Sequence, residues 1–212
     1  MNLESVLSLV AGIIALAVAL TVFRVYLIKR KVHHLLWAVG MVLWSASDFT
    51  QLYALVVSWN VPVYLLYFLC SIMLAGLLGA GTLYLVAPGH RISTYYFWFN
   101  VACAVILAIL LVTTPVNKAA LQTAVVGANA ITSAYVGLVA AVVNTPALFT
   151  FVGGAAYSFV KTRRLYALLI TIGSALAAFG GILATALLPQ FLPYTDFVGV
   201  SFLGAGFFLT FK

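Results

Sequence analysis

The chain has 212 residues, 66% of them hydrophobic and 6% charged, with a mean hydropathy of +1.22. Soluble domains carry about a quarter charged residues. The composition therefore excludes a soluble core with a tail and points to an all-α polytopic membrane protein with nothing left over for a soluble domain. On this background the net charge of +7 belongs to loops beside anionic lipid rather than to nucleic-acid binding.

A span needs about 20 mostly apolar residues. Seven are expected in chain order: Glu4–Ile28, Leu35–Val57, Pro62–Val86, Thr94–Thr113, a fifth near Asn144–Val160, Leu165–Leu188 and Tyr194–Phe211. The N-terminal stretch has neither a basic region nor a small-residue cleavage site ahead of its apolar run, so it is read as the first span. With the N-terminus outside and the C-terminus inside, Arg24, Lys29, Arg30, Lys31, Arg91, Lys161, Arg163, Arg164 and Lys212 all fall inside, and Lys118 alone falls outside. That asymmetry fixes the expected orientation, in a plasma membrane, with the basic turns on anionic inner-face lipid. Glu4, Asp48 and Asp196 fall in the outer half, and His33, His34 and His90 at the inner surface. Trp37, Tyr95, Tyr96 and Trp98 on one side, with Trp59, Tyr64 and Tyr194 on the other, fit two interfacial belts.

The segment 119–143 is apolar enough to span, but a span there would carry the Lys161–Arg164 cluster outside. Residues 117–143 are therefore expected to form a membrane-parallel or re-entrant element on the outer face. Asn117, Gln122, Asn129, Thr132 and Ser133 suit a partly wet helix. An eight-span arrangement is the alternative.

A repeat is visible. LLGAGTLYLV, from Leu77 to Val86, returns as FLGAGFFLTF, from Phe202 to Phe211. The basic turn KRKVHHLLWAVG, from Lys29 to Gly40, returns as KTRRLYALLITIG, from Lys161 to Gly173, with Tyr26 and Tyr157 preceding them. Both copies start on the same side, so the repeat is parallel. The single domain 1–212 then divides into unit one (4–88), a linker span (94–113), the outer segment (117–143) and unit two (144–212). Parallel repeats of this kind place a binding site between the units.

The 3+1+3 layout resembles, in layout alone, the sugar-transporting SWEET proteins and vitamin transporters of the PnuC type. YLLYFLCSIMLAGLLGAGTLYLV (64–86), NTPALFTFVGGAAYSF (144–159) and the glycine-rich sixth span are more closely similar to uncharacterised seven-span membrane proteins of bacteria and archaea. That resemblance implies a fold, but no activity and no site.

Asp48 is the one ionisable group expected well inside the bilayer, where an ionised carboxylate costs several kcal/mol. Trp44, Ser47, Asp48 and Gln51 share a helical face by their 3–4 spacing. Asp48 is therefore protonated, or hydrogen-bonded by neighbouring donors, or exposed to a wet cavity that binds a cation or proton. Asp196 reads as an N-cap or first-turn acid that complements a helix dipole. If the outer ends of spans 2 and 7 meet, the two acids form a vestibule with Tyr64 and Tyr67 that attracts cations. Gly79 in span 3, Gly153 and Gly154 in span 5, and Gly173, Ala177, Gly181 and Thr185 in span 6 read as surfaces for close helix packing. Cys70 and Cys103 read as small buried hydrophobes.

No metal site or cofactor is expected. His33 and His34 are adjacent and point about 100° apart on a helix, and the histidines read as solvated, lipid-facing groups. No catalytic motif occurs, and a lone deep carboxylate lacks the second group that acid–base work needs, so no enzyme is expected. The leading expectation is a permease or channel for a small cation or neutral solute, with a pathway between the two units. The alternative is a non-transporting subunit or sensor that binds partner proteins, lipid or further copies of itself.

Overall fold

The computed structural model describes residues 2–123, 130–186 and 191–210. Asn129, Leu188, Phe211 and Lys212, and the side chains of Gln122 and Thr185, lie outside that description.

Helix α1 (Leu3–Lys29) starts at Asn2, whose side chain accepts the Ser5 N–H at 3.0 Å. It ends at Arg30 in the left-handed conformation. Helix α2 (Val32–Val56) follows at once. Helix α3 (Val61–Val86) is capped by Asn60, which accepts the Val63 N–H at 3.0 Å. Pro62 sits in its first turn, where a missing N–H costs no helix bond. Then come α4 (Arg91–Thr113) and the short α5 (Lys118–Thr123). A long helix from Ala134 to Thr162 is built of α6 (Ala134–Leu148), a π turn (Phe149–Gly153) and α7 (Gly154–Thr162). Pro146 lacks an N–H and its ring crowds the carbonyl four residues back. The helix absorbs this by widening just beyond it, as π turns inside α-helices do, and the Thr150 hydroxyl donates back to the Pro146 carbonyl at 2.9 Å. Helices α8 (Leu165–Ala186) and α9 (Leu192–Thr210) complete the chain.

Among the described residues, six helices are long and apolar enough to cross a membrane: α1, α3, α4, Ala134–Thr162, α8 and α9. The chain thus has the make-up of a multi-pass membrane protein. Helix α2 is as long but carries His33, His34, Ser45, Ser47, Asp48, Thr50 and Gln51, which lower its hydropathy. Five of these, His34, Ser45, Ser47, Asp48 and Gln51, are buried. The fifth helix begins at Ala134, not near Asn144. Residues 134–143 are therefore its first turns, not part of an outer-face element, and 119–143 does not make a separate span. Of the expected outer segment, Lys118–Thr123 forms the short helix α5, and 124–129 lie outside the described residues.

The helices close into a ring in the order α1, α2, α3, α6–α7, α8, α9 and back to α1, with α4 outside it against α3 and α6. The centre is one apolar cluster that includes Ala15 and Val18 of α1, Trp37, Met41 and Trp44 of α2, Leu78 of α3, Phe151 of the π turn, and Leu203 and Phe207 of α9. A second cluster, with Ile72, Cys103, Leu107 and Val143, holds α4 to α3 and α6. Cys70 and Cys103 are both buried free thiols. Trp37 and Tyr64, expected at the interfaces, are buried instead, whereas Tyr95 and Trp98 of α4 are exposed.

Glycines set the closest approaches, since van der Waals contact between backbones is what drives helices together in a membrane. A Cβ on Gly173 would stand 2.6 Å from the Gly199 carbonyl oxygen, and one on Gly79 would stand 3.2 Å from the Ala147 Cα. Gly154 meets Thr82 in the same way, and Gly199 meets Ala177. Gly153 and Gly181 face open space, which corrects their reading as packing residues.

The two basic turns have the same local geometry. Arg30 and Arg163 have φ of 52° and 55°. Their N–H groups donate to the Tyr26 and Phe159 carbonyls, each at 2.7 Å. Their guanidinium groups lie 5.8 and 5.9 Å over the rings of those same residues. Phe159, not Tyr157, is thus the counterpart of Tyr26. Tyr157 carries the Lys161 amino group instead, at 5.9 Å from its ring centre. Lys29, Arg30, Lys31, Arg163 and Arg164 are all exposed at this basic end.

Candidate functional site

Asp48 lies sixteen residues into α2, leaving about 12 Å of helix before Val56. Asp196 lies one turn into α9, past the N-terminal turn, so it is not a helix cap. The antiparallel packing of the ring brings the two to one level. The two acids come close enough to act on each other, and Trp44 lies beside Asp196. Asp48 is only 1% exposed. Its back is closed by α1, where a Cβ on Gly12 would stand 3.2 Å from the Asp48 Cβ and 3.1 Å from the Phe49 ring. The Ser45 hydroxyl fastens that seam by donating to the Gly12 carbonyl at 2.9 Å. The groups that act on the two acids are each other and Trp44; no lysine or arginine is among them.

Asp196 is half-buried because it faces a cavity. This cavity, of about 490 Å³, lies inside the acidic half of the ring and is walled by α2, α3, α6, the π turn, α8 and α9. Trp44, Ser47 and Gln51, from the face that carries Asp48, line it together with Tyr67 of α3. Asp48 does not: it is buried beside Asp196 and does not reach the cavity wall. Tyr64 does not either. Its ring packs in a small core with Leu121 and Ala130, and its hydroxyl lies against the Ile131 backbone. Tyr67 is close enough to feel the charge of both acids. The Gln51 side chain is 1% exposed and its Nε2 has no hydrogen-bond partner among the described residues; one Asp48 carboxyl oxygen, Oδ2, is in the same state.

A second cavity, of about 370 Å³, opens in the basic half and is lined by His33, Trp37, Thr82, Tyr157, Lys161 and Tyr166 among others. His34 also borders it and is buried, with its ring 4.2 Å from that of His33. The expectation of solvated, lipid-facing histidines is thus corrected for this pair. Burial, then the neighbouring His34, Lys31 and Lys29, hold His33 down at about 4, so it is neutral at physiological pH.

Among the described residues, Phe151 is the one that borders both cavities. It packs in the central cluster with Trp37, Trp44, Leu78 and Phe207 and closes the space between the cavities. Phe151, Asn144 and Thr145 were not among the residues the sequence pattern selects. The available signal was Pro146, an imino acid inside an apolar run. No family model, curated protein or solved structure matches the chain.

Proposed function

We propose that the protein is a seven-span membrane permease, not an enzyme, that moves a small cation or neutral solute between its two three-helix units past Asp196 and Asp48. The observation that carries this reading is the 490 Å³ cavity, which is lined by Asp196 with Asp48 close beside it, and among the described residues no basic side chain acts on either acid. Buried acids inside membranes are costly and mark ion or proton pathways. The two cavities on opposite sides of Phe151 suit alternating access, with the Phe151 plug as the barrier that must part.

Seven spans are supported by α2, which packs along both α1 and α3, themselves long and apolar enough to cross. The parallel repeat is supported by paired contacts. Gly81 of α3 meets Trp37 of α2, and Gly206 of α9 meets Tyr166 and Ile170 of α8. Gly79 of α3 meets the first helix of unit two at Ala147, and Gly204 of α9 meets the first helix of unit one at Ile14 and Val18. The matched basic turns add to this. The orientation, in a plasma membrane with the basic turns on anionic inner lipid, rests on charge asymmetry.

The test is flux in liposomes. Asp196→Asn and Asp48→Asn should each abolish pH- or cation-dependent flux while the purified protein keeps its fold. Undiminished flux would remove the pair from the mechanism. Absence of flux from the native chain, together with a partner protein that co-purifies in fixed ratio, would favour a subunit role instead.

A further inference from the structure

The acidic-half cavity has features that narrow its ligand. Its volume of about 490 Å³ lies in the range of small-molecule sites, roughly 300–1,000 Å³, and far exceeds what a bare metal ion fills. A hard metal cation takes about six oxygen ligands or more. Two of the lining hydroxyls are already engaged within their own helices. The Ser71 hydroxyl is bound to the Tyr67 carbonyl of its own helix at 2.7 Å, and that of Ser174 to the Thr171 carbonyl at 3.0 Å. Among the described residues no third His, Cys, Asp or Glu joins the two acids. The lining thus has one acidic point, Asp196, a few neutral polar side chains such as Asn144 and Thr145, and a largely aromatic and aliphatic wall that includes Trp44, Tyr67, Phe68 and Phe151.

That combination is the chemistry of organic-cation recognition. The carboxylate takes the charge, aromatic faces add cation–π attraction, and apolar walls take the body.

The acid pair supplies the exchange partner. Two carboxyl groups this close together hold one proton between them at rest, because like charges in contact cannot both ionise. The groups that face it are Asp48 from α2, Asp196 from α9 and Tyr67 from α3. Helix α1 packs behind with Gly12, and α8 meets α9 at this end through Gly180 against Thr195, neither adding a charge. Two bare carboxylates in contact repel strongly, so one positive charge, proton or ligand, must be present.

Resting on the permease reading, we propose that this cavity binds an organic monocation, an ammonium or amidinium with an apolar body, in exchange for the proton held between Asp48 and Asp196. One cation enters and one proton leaves, and the charge of the site is unchanged.

The test is calorimetric titration of the purified native protein with benzyltrimethylammonium, repeated in buffers of different ionisation enthalpy to count released protons. The expected result is saturable binding that releases about one proton per cation, weakens as pH falls, and is at least about tenfold weaker in Asp196→Asn, a loss of about 1.4 kcal/mol or more. Asp196→Glu, which keeps the charge, should retain binding; this separates loss of the site from loss of the fold. Asp196-dependent flux of potassium or of an uncharged solute, with no benzyltrimethylammonium binding, overturns the organic-cation assignment and leaves the permease reading standing. Binding without proton release overturns the exchange. Absence of both binding and any flux sinks both readings.

Discussion

The seam between α1 and α2 and the seam between α6–α7 and α8 hold corresponding places in the ring, yet one is shut and the other open. The first is closed by Gly12, whose missing side chain lets Asp48 and Phe49 lie against the α1 backbone, and by the Ser45 hydroxyl on the Gly12 carbonyl. The second is flanked by both cavities, and its Gly153 and Gly181 touch nothing within 4 Å. Two helices that bury the same kind of apolar surface can thus make a wall or a vestibule. What decides is whether small residues meet a partner's backbone or face away from it. The shut seam hides Asp48; the open one exposes Asp196 to a ligand-sized space.

The largest effect should come from forcing the shut seam apart. Gly12→Leu places a branched side chain where even a Cβ is 3.1 Å from the Phe49 ring, and overpacking should cost about 3 kcal/mol or more. Gly181→Leu in the open seam should change stability by no more than about 0.5 kcal/mol yet reduce flux by filling the cavity. Thermal unfolding in detergent and flux in liposomes measure the pair; equal destabilisation of both variants would erase the distinction between the seams. Phe151→Ala comes next. A buried Phe→Ala change costs about 3–5 kcal/mol in a solid core; here the cavities already border the ring, and about 2–3 kcal/mol is expected. The variant should join the cavities and leak solute without coupling to pH, measured as uncoupled efflux from loaded liposomes. An unchanged tight barrier would show that Leu78 and the tryptophans close the passage unaided. Ser45→Ala removes one buried hydrogen bond of the shut seam and should cost about 1 kcal/mol, read as a lower midpoint of unfolding. The smallest effect is at the basic end. His33 is held at about 4, below its ordinary 6.5, so its protonation opposes folding. Its contribution is fully present above about 6.5 and is lost as pH falls towards 4. His33→Gln should flatten the midpoint-against-pH curve across that window, and an unaltered curve would clear His33 of the effect.

Much of the fold was legible along the chain because membrane helices announce themselves by length and apolarity. Helices α1, α3, α4, α8 and α9 begin and end within a few residues of their expected positions. Helix α2 did so as well, although its buried polar face makes it the least apolar of the long helices. The matching turns at Arg30 and Arg163 were likewise visible as repeated basic clusters. The fifth helix was misjudged at its start because Asn144, Thr145 and Pro146 look like a boundary. The helix continues through Pro146 by opening into a π turn, a local adjustment that leaves no periodic trace. The site was half legible: Trp44, Ser47, Gln51 and Tyr67 reach the cavity, but Tyr64 turns to the outer loop and Asp196 is a paired acid rather than a cap.

The sequence by itself determined that this chain belongs in a bilayer, how its long helices alternate, and that a costly carboxyl sits deep in the second of them. Composition and spacing decide these because burying backbone and charge in hydrocarbon has a fixed, local cost. Only the tertiary structure decided that Asp48 is paired with Asp196, a residue 148 positions along the chain, that one of the two is sealed and the other half-buried at a cavity wall, and that Phe151 stands between two cavities. Those outcomes depend on which small residues meet which backbones across the ring, a matter of three-dimensional register that no single helix encodes.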